Sequence, residues 1–156
     1  MENLYLLRVD DRLIHGQVMT AWLNTLPAKE VMIIDDGVAN DDFMKAVIKM
    51  SAPDKVTVSV QSIEQAIKIF NEGLPVPTIA LVKTPLTIKK MVDRGVKFDA
   101  INIGGLGMNS GRKPLFKNIS ASQEERDALK EFIDKGISVK IQIIPAEKIT
   151  DVASLL

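Results

Sequence analysis

The chain has 156 residues, enough for one domain with a proper core. Its 20 basic and 20 acidic residues cancel, which argues against a nucleic-acid partner, and no apolar run nears the roughly 18 residues of a membrane span. Cysteine is absent, so disulfides, thiolate catalysis and thiolate metal sites are excluded. The opening MENLYLLRVDD lacks the basic leader and small-residue cleavage site of a signal peptide, and the expected compartment is the cytoplasm.

Short β-branched runs alternate with helical patterns along the chain. A first strand over Leu4–Val9 is followed by GQVMTAWLNT (Gly16–Thr25), whose Val18, Ala21, Trp22 and Thr25 recur at helical spacing before Pro27. A strand at Val31–Asp35 leads to a helix opening at Asn40 ahead of Asp41-Asp42-Phe43, and a strand at Lys55–Val60 leads to the S-x-x-Q capping box of Ser62 and Gln65. After a strand at Thr78–Val82, Thr84-Pro85 supplies a cap with proline at the first helical position. A strand at Ala100–Ile103, an unclear stretch over Gly111–Ser120 with a short strand at Leu115–Ile119, a capping box at Ser122 and Glu125 opening Gln123–Lys135, and a strand at Ser138–Ile144 complete the pattern. Gly73, Gly95 and Gly136 read as helix stops. The repeated βα units predict one α/β domain over 1–156, an open, mostly parallel sheet with helices on both faces.

Such sheets hold their sites outside the carboxyl ends of the strands. Four loops there have site-like composition: Asp10–Gly16, Asp35-Asp36-Gly37, Lys83-Thr84-Pro85 and Gly104-Gly105-Leu106-Gly107. The first contains the only histidine, in RVDDRLIHGQV (Arg8–Val18). His15 falls at a loop-to-helix junction, where unpaired backbone N–H groups and the positive helix end favour a phosphoryl group. Arg8 and Arg12 are predicted to donate to phosphate oxygens, and Asp10 or Asp11 to orient the imidazole. Together these are the parts a histidine phosphoryl carrier needs. Arg12, a loop residue, is expected to act on transfer rather than on folding.

The other signals are weaker. Asp35-Asp36 and Asp41-Asp42 lack ligand spacing and fit a loop and a helix start better than a metal site. The glycine run at 104–107 has no Lys-Ser/Thr of a P-loop, and fits a tight turn or close backbone approach to a ligand. Trp22 fits the core better than a sugar platform. A response-regulator receiver would need an acceptor aspartate after the third strand, where Val60-Gln61-Ser62 stands. A non-enzymatic sugar- or nucleotide-binding module is the alternative to a carrier.

RVDDRLIHGQV resembles the signature of the mannose/fructose/sorbose-family IIB component of the bacterial phosphoenolpyruvate-dependent sugar phosphotransferase system. The resemblance extends through Val31–Asp41, Leu81–Pro85, Ile101–Gly105 and the closing Ser154-Leu155-Leu156. It implies a mostly parallel sheet of seven strands. It also implies that His15 accepts a phosphoryl group on Nδ1 from a phosphohistidine of the IIA component and passes it to a hexose or amino-hexose. Arg12 would stabilise the moving group, with Arg8 and Asp10 as active-loop neighbours. The phosphate- and partner-facing positions would be Asp11, Gly16, Gln17, Asp36, Thr84, Gly104 and Gly105. No metal or cofactor is implied. The expected partners are a separate IIA polypeptide, the membrane IIC and IID components and the sugar, with a homo-oligomer as an option. The expected location is the cytoplasmic face of the membrane.

Overall fold

The computed structural model describes residues 1–156. Seven strands form one sheet: β1 (Leu4–Asp10), β2 (Glu30–Ile34), β3 (Thr57–Gln61), β4 (Thr78–Val82), β5 (Ala100–Gly105), β8 (Ser138–Ile141) and β9 (Thr150–Asp151), in the order β3-β2-β4-β1-β5-β8-β9. All neighbours are parallel except β8 and β9. A separate antiparallel hairpin, β6 (Lys113–Phe116) with β7 (Ile119–Ala121), replaces the single strand expected near Leu115–Ile119. Lys117 adopts φ +48° in its turn.

The connections divide the helices between the two faces. One face carries α1 (Gly16–Thr25), the four-residue α2 (Asp36–Ala39) and α3 (Asp42–Met50), packed with Val31, Ile33, Ile79 and Leu81 in a core cluster of 9 residues. The other carries α4 (Ile63–Glu72), α5 (Pro85–Asp93) and α6 (Gln123–Asp134) over a cluster of 26, so most of the apolar burial lies there. Because side chains alternate along a strand, Leu7 and Val9 enter the larger core while Leu6, Arg8 and Asp10 point to the face of α1. No helix is long and apolar enough to cross a membrane.

Local chemistry explains the helix ends. Both capping boxes form, at Ser62 with Gln65 and at Ser122 with Glu125. Thr84 caps α5 through Leu86 N–H. Asp35 and Asp41 accept from the amides of Val38 and Met44, so these acidic residues serve as helix caps, and Asp41 rather than Asn40 opens α3. Gly73, Gly95 and Gly136 end their helices at positive φ.

Candidate functional site

The strand order places the site. From β1 the chain moves toward β2 on one side, whereas β5, its other neighbour, continues toward β8. Loops leaving adjacent strands in opposite directions open a crevice at their carboxyl ends. The crevice lies between β1 and β5, where Asp11 N–H donates to Gly105 O at 2.9 Å. The loop then turns tightly. Leu13 N–H donates to Asp10 O at 2.9 Å, Leu13 takes φ +60°, and its side chain is buried in the smaller core. A leucine in this left-handed region is strained by about 1–2 kcal/mol, and burial of its side chain holds it there.

His15 follows as the N-cap of α1, exposed, with extended backbone and no side-chain capping bond. The first intrahelical bond runs from Met19 N–H to His15 O, so the amides of Gly16, Gln17 and Val18 have no partner in the helix. A Cβ at Gly16 would meet nothing within 4 Å, so packing does not demand this glycine. Gln17 is exposed beside it in the first turn.

Beneath the loop lies a chain of charges running from the core to the rim. Arg8 and Asp10 are each only 1% exposed. Arg8 Nη1 donates to Asn102 Oδ1 at 2.7 Å and to Gln142 O at 3.1 Å, and Nη2 to Asp10 Oδ2 at 3.2 Å. Its guanidinium carbon lies 5.6 Å from the centre of the Trp22 ring, within cation–π range. The indole of Trp22 donates to Ile143 O, so Trp22 is core and not a sugar platform. Asp10 Oδ1 accepts from the backbone N–H and Nε of Arg12, both at 3.0 Å, while Oδ2 accepts from Arg12 Nη2 at 2.8 Å. The Arg12 side chain remains 43% exposed, with Nη1 unpaired. Burial pushes the Asp10 carboxyl up, but the Arg12 side-chain and backbone hydrogen bonds and both arginine charges outweigh it and hold the carboxyl below its usual range. Burial lowers the Arg8 pKa, and the Asp10 hydrogen bond raises that of Arg12.

Two expectations change here. Arg8 does not reach the rim, because the strand period turns it inward with Leu6 and Asp10, so it supports Asp10 instead of donating to phosphate. Neither aspartate orients the imidazole: Asp10 is filled by the two arginines, and Asp11 Oδ2 accepts from Gly107 N–H at 2.8 Å and Arg112 Nη1 at 3.1 Å. The glycines of β5 have a role that composition did not reveal. A Cβ at Gly104 would collide with the Arg8 guanidinium, and one at Gly105 would lie 2.5 Å from Asp10 Oδ1. They are part of the strand, and clear volume for β1 side chains rather than for a ligand.

A second network flanks the crevice, and the sequence offered little sign of it. Arg112 Nε and Nη2 donate to Glu125 Oε1 at 2.8 Å and Oε2 at 3.0 Å, and Nη1 also reaches Gly107 O. Thr84 Oγ1 donates to Glu125 Oε2 at 2.7 Å, so Thr84 ties α5 to α6. Burial raises the Glu125 carboxyl, but Arg112, Ser122 and Thr84 together hold it below its ordinary value. Glu125 was visible as a capping-box residue, but its pairing with Arg112 was not. Asp36, though exposed, accepts from Ile63 N–H at 2.8 Å and serves the start of α4, which follows the edge strand β3. No buried side-chain polar atom lacks a partner.

The family model described as the PTS system sorbose subfamily IIB component matches residues 4–156. The chain belongs to this family. It is similar to the sorbose-specific EIIB component of Klebsiella pneumoniae, 31% identical over 147 residues, covering 93% of this chain and 90% of that one. It is also similar to the fructose-specific EIIB component of Bacillus subtilis, 29% identical and covering 100% and 97% of the two chains. The crystal structure of manxB from Thermoanaerobacter tengcongensis superimposes with a TM-score of 0.88 at 35% identity, covering 97% of this chain and 93% of that one. The seven-stranded sheet agrees with the fold implied by the resemblance of RVDDRLIHGQV. Family membership favours a phosphoryl carrier over a non-enzymatic binding module.

Proposed function

We propose that this IIB component carries a phosphoryl group on His15 between a phosphohistidine of a IIA component and a hexose or amino-hexose taken up through membrane IIC and IID components. The observation that supports it most is an exposed histidine, free of side-chain capping, at the N-terminus of α1, three residues after an arginine that a buried carboxylate holds in place. In the neutral imidazole the Nδ1 lone pair attacks phosphorus as the donor's N–P bond breaks back onto its own imidazole. The free amides of the first turn and the Nη1 edge of Arg12 then stabilise charge on the equatorial oxygens. In the second step the sugar hydroxyl oxygen attacks phosphorus, the N–P bond breaks back onto Nδ1, and the hydroxyl proton is taken up by the freed imidazole and released to solvent. Asp10 and Arg8 act as positioning residues. Asp11, Gly16 and Gln17 belong to the surface that meets the donor, and no metal or cofactor enters either step.

The test is phosphorylation by phospho-IIA in solution. Wild type should carry an acid-labile, base-stable label, and His15→Ala should carry none while keeping its melting temperature, since the imidazole makes no capping bond to lose. Stable label on the alanine variant would refute the assignment.

A further inference from the structure

Arg112 takes no part in the transfer steps, yet its guanidinium is tied to the loop that carries His15. It precedes β6 and closes on several elements at once. Nε and Nη2 fork onto Glu125 at the start of α6, and through Glu125 they reach Thr84 at the start of α5. Glu125 is nearly fully buried and Arg112 mostly so, which makes this fork a fixed base. From it Nη1 extends to Asp11 Oδ2 and to Gly107 O, while Asp11 Oδ2 also takes the Gly107 amide. One cation thus joins the loops that leave β1 and β5.

The residue it holds is the one whose charge does most harm if left free. Asp11 stands beside Arg12 and four positions before His15, in the same loop. A carboxylate loose at that place would repel an arriving phosphoryl group and would compete with it for Arg12. Asp10 already fills the Nε and Nη2 edge of Arg12, so Nη1 is the edge left to lose. Asp11 pairs with Arg112 at 3.1 Å and not with its chain neighbour, although its charge is felt at the Arg12 guanidinium. We propose that Arg112 is a positioning residue for phosphoryl transfer: it draws the Asp11 carboxylate onto the β5 loop and cancels its charge, leaving Arg12 open to the phosphoryl oxygens. This rests on the carrier reading above.

The experiment measures transfer from phospho-IIA at saturating donor, which separates the rate within the docked pair from docking itself. Removing Arg112 alone would strand the buried Glu125, so the variant is the neutral pair Arg112→Gln/Glu125→Gln, which keeps a capping-box residue at 125. Its limiting rate should fall about ten-fold. Adding Asp11→Asn to the pair should bring the rate back to within about three-fold of wild type, because the amide carries no charge to repel phosphate or capture Arg12. Arg112→Lys keeps a cation against Glu125, but one ammonium cannot reproduce the fork and also hold Asp11. It should be slowed and rescued in the same way, and it decides the matter if the neutral pair does not fold. A merely structural Arg112 would give a loss that follows the melting temperature and that Asp11→Asn does not relieve. That result, or an undiminished limiting rate in the Arg112 variants, would overturn the assignment. A wild type that accepts no label would instead overturn the carrier reading itself.

Discussion

Replacing Gly104 with alanine tests the charge chain at its tightest point. The new methyl would occupy the space of the Arg8 guanidinium. An exposed arginine would swing aside. Arg8 has no such freedom, because it is 1% exposed and tied to Asn102, Gln142 and Asp10. Displacing it separates a buried ion pair, a loss of about 3–5 kcal/mol. Against a total stability of roughly 5–15 kcal/mol, and with a shift of about 2–4 °C per kcal/mol for a chain of this size, the melting temperature should fall by about 6–20 °C. Thermal and urea unfolding measure this directly, with Gly111→Ala as control, since a Cβ there meets only Asn109 Oδ1 at 3.7 Å. The cause is isolated by repeating the change in Arg8→Leu: with the guanidinium gone, the added methyl should lower stability by no more than about 1 kcal/mol. A Gly104→Ala protein melting within about 2 °C of wild type would refute the reasoning.

Arg12→Ala should reduce phosphoryl transfer by about ten-fold or more, and Arg12→Lys should restore only part, because an ammonium cannot reproduce the Nε and Nη2 fork on Asp10. Both should also melt lower than wild type, since the buried Asp10 carboxylate loses hydrogen bonds, and unchanged melting with normal transfer would remove Arg12 from the site. Asp10 and Glu125, held below their ordinary values, contribute stability above the unfolded carboxyl range that is lost as pH falls through their folded values. The urea midpoint should therefore drop below about pH 4, and less steeply in Glu125→Gln; a wild-type midpoint that is constant down to pH 3 would contradict this.

Features that depend on neighbours in sequence were legible in the sequence. The capping boxes at Ser62 and Ser122, the Thr84-Pro85 start and the span of α1 each rest on a few adjacent residues. Elements too short to carry a period were missed: the four residues of α2 and the two of β9. In the site, the location of His15 at a helix start was legible because Gly16–Thr25 shows its own amphipathic pattern. The duties of Arg8, Gly104 and Gly105 were not, because they arise only when β1 lies against β5, with Arg8 paired opposite Asn102. Arg12 was expected to leave folding untouched for the same reason: its bond to Asp10 is local, but the burial of Asp10 is not. Arg112 was hidden in a stretch with no periodic signal.

The turn at Leu13 has a consequence for rate. Its backbone is held in a left-handed geometry by a side chain sunk in the core, and the aspartate three residues before it is locked by two arginines. A seat built this way does not have to be ordered when a donor arrives, so little reorganisation separates the docked pair from reacting geometry. On the carrier reading, searching for the correct alignment falls to the incoming protein and to rotation of a single imidazole. Transfer should then depend on how often the partners meet in register rather than on how long a loop takes to close.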